Sequence, residues 1–313
     1  MRTRQNPPDA LLRLAAAQAG VVSRSQALAT GLTTKAVYRL LKDGSWGPLE
    51  RGIFLVPHTG PSWLGRVWAG VLLGGSESRA AGSTAASLHG LDDEQRLPIE
   101  ILVPSGTTPP QRDWLRFRQE REQVRASSGS AAPPRTRIAD TVLDLCSEAS
   151  ADACLHWVTT AVQRRLVTPE SLRLTMDRRT RMPNRKLLTG LLTDVGTGVH
   201  STLEYRYLHD VERPHGLAAA GRQRTRPGRS RYVDVVYEEF GLVVELDGRV
   251  GHTGEGRFRD MERDNSHTTV GLHTLRYGWY DVTEQPCAVA FEVAEVLVGL
   301  GWTGYPLRCP QCR

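Results

Sequence analysis

The chain has 313 residues, which is long enough for two or three domains that each bury a core, so a single small module is excluded. Its formal net charge is +6 and its pI is about 9.3, which suits a polyanionic partner without proving one. Nearly all of the basic residues are arginine, and because arginine richness also follows genome base composition, this feature decides little.

Cysteine usage and hydropathy predict where the protein is found. The five cysteines are an odd number, and no clear secretory signal precedes them, which indicates a reducing, cytosolic setting. No apolar run approaches the roughly 20 residues that are needed to cross a bilayer. We therefore expect a soluble, cytoplasmic protein that makes no membrane contact.

The amino-terminal region carries the signals of three short helices. Residues 9–19 are rich in Leu and Ala, and residues 24–30 form a second helical stretch. After a tight turn, a third helix that is capped by Thr33 or Thr34 runs to Asp43. The order predicts a helix-turn-helix.

One face of the third helix is apolar and the other is basic. Val37, Leu40 and Leu41 recur at helical spacing and are expected to face the core. Four residues are then expected to point outward as candidate DNA contacts: Lys35, Tyr38, Arg39 and Lys42.

A short β-ribbon, or wing, is predicted over residues 45–57, and it completes a winged helix-turn-helix. Residues 20–57 are similar to the amino-terminal domain of AbiEi-family antitoxins, whose winged helix binds operator DNA. This resemblance implies that the third helix enters the major groove. The same charges also fit a solvated helix face on a protein-docking module.

The middle of the chain, residues 61–200, shows no catalytic constellation. Its single histidines, His89 and His156, are expected to be structural. We interpret this region as a mostly helical domain for packing and positioning, with strands predicted near residues 98–103 and 114–118.

The central pattern of the last third is a hairpin. Two apolar runs, residues 232–237 and 242–247, are joined by a four-residue turn. Side chains alternate along a strand, so Glu245 and Asp247 share a face, and a four-residue turn places Asp234 directly across from Glu245.

Three carboxylates on one apolar sheet call for compensation. A hard divalent cation with oxygen ligands, Mg²⁺ or Mn²⁺, is one explanation. The alternative is a solvated face on which the acids meet arginines.

Asp234, then the Glu245-Leu246-Asp247 triplet, and His252 resemble the PD-(D/E)XK nuclease signature, in the branch related to very-short-patch-repair endonucleases. The resemblance implies a restriction-endonuclease-like αβββαβ core in which Asp234 and Glu245 hold the metal. His252 is the candidate general acid or base, or else a hydrogen-bonded loop residue. The lysine that usually ends the triplet is Asp247 here, which could orient the water or add a ligand.

Three further residues belong to the predicted site. The related nucleases carry a Glu beside the metal on their first helix, which makes Glu204 a candidate ligand, but Ser201-x-x-Glu204 also fits a capping box. Arg222 and Arg224 flank the hairpin and are expected to neutralise phosphates, although alternate arginines on an exposed strand can serve solubility alone.

The sequence does not predict a zinc site. Cys309-Pro-Gln-Cys312 is half of a zinc knuckle, whereas structural zinc takes four ligands. Cys146, Cys154 and Cys287 lack a matching spacing.

These observations predict an α/β chain (multidomain α+β) with a winged helix at 1–60, a middle domain at 61–200 and a nuclease-like domain at 201–313. The expected function is an Mg²⁺- or Mn²⁺-dependent endonuclease or nickase acting on double-stranded DNA in genome defence or repair. The alternatives are an antitoxin-type regulator whose nuclease domain is inactive, and an RNA nuclease. A homodimer is left open, as is a partner toxin if the protein is a regulator.

Overall fold

The computed structural model describes residues 5–107, 109–110, 112–120, 125, 131–196, 199, 201–225, 232–247 and 273–312. Contacts divide the chain into two compact units, Met1–Ser150 with Arg164–Asn184, and Ala151–Gln163 with Arg185–Arg313. The predicted boundary at residue 60 falls inside the first unit, and the one at residue 200 falls inside the second. Among the described residues, no helix is long and apolar enough to cross a membrane.

The first unit begins with the predicted three helices and ribbon. Its elements, in chain order, are α1 (Asp9–Ala17), β1 (Val21–Ser23), α2 (Arg24–Ala29), α3 (Thr34–Lys42), β2 (Gly47–Glu50) and β3 (Ile53–Leu55). The strands form an antiparallel sheet in the order β1-β3-β2, in which β1 is an additional strand that the sequence did not predict.

Local side-chain bonds explain where these helices begin. The Ser23 hydroxyl accepts the Gln26 amide while the Gln26 side chain accepts the Ser23 amide, which is a capping box for α2. Thr33 rather than Thr34 caps α3, because its hydroxyl accepts the Ala36 amide. Trp46 and Phe54 then join the apolar faces of α1 and α3 in one core.

The rest of the first unit is a small sheet flanked by helices. Its elements are α4 (Trp63–Gly74), β4 (Arg79–Ala80), α5 (Gly82–Leu88), β5 (Ile99–Pro104), β6 (Leu115–Glu120), α6 (Ile138–Glu148) and α8 (Pro169–Asp177). Strand β5 lies between antiparallel β4 and parallel β6. The predicted strands near 98–103 and 114–118 are thus confirmed. The small residues at 79–89 predict one helix from Arg79 onward, but the helix begins at Gly82, since Arg79 and Ala80 pair with β5.

The second unit contains the predicted hairpin. Its helices are α7 (Ala151–Gln163), α9 (Arg185–Gly196), α10 (Thr202–Arg206), α11 (Trp279–Glu284) and α12 (Pro286–Gly299), and its strands are β7 (Gly221–Thr225), β8 (Tyr232–Tyr237), β9 (Leu242–Asp247) and β10 (His273–Gly278). A π-helical turn, Tyr207–Glu212, extends α10. Residues 255–268, whose charged pattern predicts a helix, lie outside the described residues.

The four strands of this unit form one sheet in the order β10-β9-β8-β7. Strands β7, β8 and β9 are antiparallel, whereas β10 runs parallel to β9. Val235 pairs with Val244 and Tyr237 with Leu242, and these four side chains pack in the core with residues of α10, the π-helical turn and α12. These helices therefore cover the face of the sheet that carries Val235, Tyr237, Leu242 and Val244.

Candidate functional site

The outward face of α3 is formed as the sequence predicted. Ala36, Val37 and Leu40 are buried in the core of the winged helix. Lys35 and Lys42 are exposed, and Tyr38 is 67% exposed. Tyr38 lies between the two lysines, on a helix whose opposite face is buried in the core. This arrangement forms a surface suited to a polyanion.

Arg39 differs from these three residues. One of its guanidinium nitrogens lies 3.1 Å from the Asp43 carboxylate, and the other donates to the Gln5 carbonyl at 2.6 Å. The charge of Arg39 is thus partly compensated, and the side chain ties the segment before α1 to α3. Its predicted contact with DNA has less support than those of Lys35, Tyr38 and Lys42.

The predicted hairpin acids lie on the sheet face opposite the helices. Because Val235 and Val244 pair with their side chains in the core, Asp234 and Glu245 point to the other face. Extending the same register by one residue puts them opposite each other, as the four-residue turn predicted. That turn is the helical segment Glu238–Phe240, closed by Gly241 with a φ of 63°.

Each of the two carboxylates makes a specific bond. The Oδ2 atom of Asp234 accepts the Leu246 amide at 2.9 Å, which fixes the carboxylate over β9. The Oε2 atom of Glu245 lies 3.1 Å from Nε of Arg276. Arg276 is the ladder partner of Glu245 in the parallel pair of β9 and β10, so a positive charge stands beside the acids.

Sequence reasoning missed Arg276. The apolar and aromatic residues at 272–277 predict a strand, but nothing in this local pattern shows that the strand lies parallel to β9 with Arg276 level with Glu245. The available signal is that Asp247 stands where the nuclease signature that the hairpin resembles has a lysine, so another cation is expected near the acids.

The oxygen donors of Asp234 and Glu245 suit a hard cation such as Mg²⁺, which takes one or two carboxylates and fills its remaining positions with water and phosphate oxygens.

Glu204 is 3% exposed on α10, and Ser201 caps that helix by accepting the Glu204 amide. It does not form a three-ligand group with Asp234 and Glu245, since the described residues contain one such group and it lies elsewhere. The side chain of Asp247 and all of His252 lie outside the described residues.

The two arginines predicted to meet phosphate have different outcomes. Arg222 is 10% exposed and donates to the Glu212 carboxylate at 2.9 Å, so its charge compensates a buried carboxylate inside the unit. The expectation of an exposed phosphate contact therefore does not fit its position. The side chain of Arg224 lies outside the described residues.

Glu212 shows why Arg222 is held inside. Burial raises the pKa of the Glu212 carboxyl above its usual value, and the nearby guanidinium of Arg222 opposes that rise. Removing a carboxylate from water disfavours its charged form unless a cation compensates it. The pair is a structural one that the alternating arginines of the sequence did not reveal.

Residues 9–57 match the family described as transcriptional regulator, AbiEi antitoxin. The match covers α1 to β3, so the resemblance expected for the amino-terminal region is confirmed there. No curated protein matches the chain. The crystal structure of the RV2827C protein from Mycobacterium tuberculosis is similar over 60% of this chain and 82% of that one, at 16% identity and a TM-score of 0.28, which is too low to assign a fold or a function.

Proposed function

We propose that the protein is a DNA-binding regulator of the AbiEi antitoxin type that docks on duplex DNA through α3. The observation that carries the proposal is the exposed face of Lys35, Tyr38 and Lys42 on a helix whose other face is buried, inside the segment that matches the regulator family.

The chemistry of that face fits the backbone of DNA. Lys35 and Lys42 each offer an ammonium group to phosphate oxygens, and every phosphate they neutralise releases condensed counterions. Tyr38 can pack against a sugar or a thymine methyl and donate its hydroxyl to a phosphate. The adjacent strands β2 and β3 take the place of the wing.

The test compares binding of pooled random-sequence duplex DNA by the intact chain and by the double variant Lys35→Ala/Lys42→Ala, followed by fluorescence anisotropy. If both lysines contact phosphate, the slope of log K against log salt becomes less negative by about 1.8, because each phosphate contact contributes about 0.9. Tyr38→Ala is expected to weaken binding without changing that slope.

Lys186→Ala is the matched control. The chain has three lysines, and Lys186 is exposed on α9 in the other compact unit. The Lys186→Ala variant should leave both the affinity for DNA and the slope of log K against log salt unchanged. Equal binding by the wild type and the Lys35/Lys42 variant, with both folded, would refute docking through α3.

A second function, phosphodiester hydrolysis, is favoured by the position of Asp234 and Glu245 on neighbouring strands beside Arg276. In this proposal the two carboxylates hold Mg²⁺ or Mn²⁺. The ion, when bound, polarises the scissile phosphate and lowers the pKa of a water.

Residues of the chain itself would hold the carboxylate, supply positive charge and move the proton. The Leu246 amide keeps the Asp234 carboxylate in place, and Arg276 presents positive charge where the usual lysine is missing. His252 remains the candidate that moves the proton of the water.

The nuclease proposal is tested with supercoiled plasmid in Mg²⁺, Mn²⁺ or EDTA. Asp234→Asn and Glu245→Gln should each abolish metal-dependent nicking, whereas Glu239→Gln, which changes an exposed acid in the turn of the same hairpin, should not. If the wild type binds duplex DNA but cuts none with either metal, the nuclease proposal fails and only the regulator function remains.

A further inference from the structure

Four potential metal ligands from three distant parts of the chain meet in the second unit. They are His215, Cys287 near the start of α12, and the two cysteines of the carboxyl-terminal tail, Cys309 and Cys312. Their four ligand atoms all lie within 4.8 Å of one another. Within the part of the chain that the structure describes, this is the one group of three or more His, Cys, Asp or Glu residues placed to hold a metal ion.

Three of the six separations within the group are close to those of a tetrahedral metal site. The Sγ atom of Cys309 lies 3.6 Å from that of Cys287 and 3.7 Å from that of Cys312. The Sγ atom of Cys312 lies 3.4 Å from Nε2 of His215. Zinc with Zn–S bonds of about 2.3 Å and a Zn–N bond of about 2.1 Å separates its ligands by about 3.5 to 3.8 Å, which agrees with these values.

The three sulfurs are not joined to one another. All three cysteines are free, and the distances between them are well above the roughly 2.05 Å of a disulfide bond. A disulfide would use two of the sulfurs and no imidazole, whereas a tetrahedral ion uses all four ligand atoms.

The imidazole of His215 is oriented as a ligand. Its Nδ1–H donates to the Val211 carbonyl at 2.8 Å, which leaves the lone pair of Nε2 directed at Cys312. A hydrogen bond from the other ring nitrogen is the usual way in which a protein fixes the tautomer of a metal-binding histidine. The ring is fully buried and lies edge-on to Phe291, so it cannot turn away into solvent.

The backbone of the tail is shaped around Cys309. The Gln311 amide donates to Sγ of Cys309 at 3.3 Å, and the Cys312 amide donates to the Cys309 carbonyl at 3.0 Å. An amide that points at a sulfur favours its thiolate form, which is the form that binds metal. The tail is also tied to the histidine segment by the Leu307 amide, which donates to the His215 carbonyl at 2.7 Å.

We infer that His215, Cys287, Cys309 and Cys312 bind one Zn²⁺ in a closed structural site that fastens the carboxyl-terminal tail to the rest of the second unit. Three thiolates and one imidazole in tetrahedral array select zinc over the hard cations that carboxylates bind. Four protein ligands leave no position for a substrate, so the role is to stabilise the fold. The spacing of the cysteines does not reveal this group, because two of its four ligands come from residues 215 and 287, far from the Cys309–Cys312 pair in the sequence.

The first experiment needs no variant. The intact chain, purified under reducing conditions from zinc-supplemented medium, should contain about one zinc per molecule by mass spectrometry of the metal. Replacement by Co²⁺ should give thiolate-to-cobalt charge-transfer bands and the intense d–d bands of a tetrahedral site. A folded, reduced wild type that retains no zinc and gives no cobalt bands would overturn the inference, as would a Cys287–Cys309 disulfide in the native protein.

Variants then test the ligand set. Cys312→Ser and His215→Ala should lose the bound zinc, while His215→Cys should keep it because a fourth thiolate replaces the imidazole. Cys154→Ala is the matched control, since it removes a buried cysteine of the same unit outside the group, and it should retain full zinc. Full retention of zinc by His215→Ala would remove His215 from the site.

Discussion

Arg276 on β10 and Glu245 on β9 are ladder partners whose Nε and Oε2 atoms lie 3.1 Å apart. This contact joins β10 to the hairpin, although residues 248–272, which are not described, separate the two in the chain. It also supplies a cation beside Glu245, one of the two hairpin acids of the proposed metal site.

The first prediction concerns the strength of this ion pair. Both side chains are partly exposed, so we expect a coupling free energy of about 0.5 to 1 kcal/mol between Arg276→Gln and Glu245→Gln. A double-mutant cycle measured by urea unfolding gives that value directly. Strict additivity of the two single variants would show that the contact contributes nothing to stability.

The buried pair of Arg222 and Glu212 should behave differently. Arg222→Met leaves a buried carboxylate without its cation and is expected to cost about 3 kcal/mol or more at neutral pH. Arg96→Met removes the guanidinium of a side chain that is itself 53% exposed and that pairs with Glu94 and, at 3.6 Å, with Asp92 in the first unit, and it should cost less than about 1 kcal/mol. Thermal unfolding of the three proteins side by side would measure the difference.

The sign of the pH dependence follows from the raised pKa of Glu212. The folded state holds this proton more tightly than the unfolded state, so the carboxyl favours folding below its unfolded pKa, and this contribution is lost as pH rises through the folded pKa. In Arg222→Met the pKa should rise further, and stability should fall more steeply as pH increases above about 4.5. Adding Glu212→Gln should remove that fall; its persistence in the double variant would assign it to another group.

His89 gives a prediction of the opposite sign. Burial lowers the pKa of this imidazole and the charge of Arg135 adds to that effect, against a hydrogen bond of its Nε2 with the Thr136 carbonyl at 2.8 Å. The unfolded state then binds the proton more tightly, so stability should be lost as pH falls below 6.5 toward the folded pKa. His89→Gln should flatten this part of the stability profile of the first unit, and an unchanged profile would contradict the assignment.

Gly82 is predicted to tolerate no side chain. Its φ is 53°, and an added Cβ would lie 1.8 Å from Oε2 of Glu100, the oxygen that accepts the Ser83 amide. Gly90→Ala is the matched control, because its φ is 68° but no atom lies within 4 Å of the added Cβ. We expect about 1 kcal/mol for Gly90→Ala from backbone strain alone and about 3 kcal/mol for Gly82→Ala, measured by urea unfolding.

Much of the local structure follows from sequence alone. The caps at Ser23 and Thr33 set the starts of α2 and α3, because a hydroxyl that satisfies a free helix amide acts within three residues. The faces of the hairpin follow from the alternation of side chains, which put Asp234 and Glu245 on one side before any tertiary contact was known. These features rest on interactions between near neighbours in the chain, and such interactions leave a periodic trace in the sequence.

Only the tertiary structure decided which distant residues meet. Arg276 reaches Glu245 because β10 pairs in parallel with β9. Arg222 turns inward because it pairs with the buried Glu212. His215 and Cys287 meet Cys309 and Cys312 because α12 and the tail return to the end of the π-helical turn. Contacts of this kind depend on how hydrophobic faces pack together. No local periodicity encodes that packing, so the sequence supplied the four ligands of the proposed zinc site without showing that they meet.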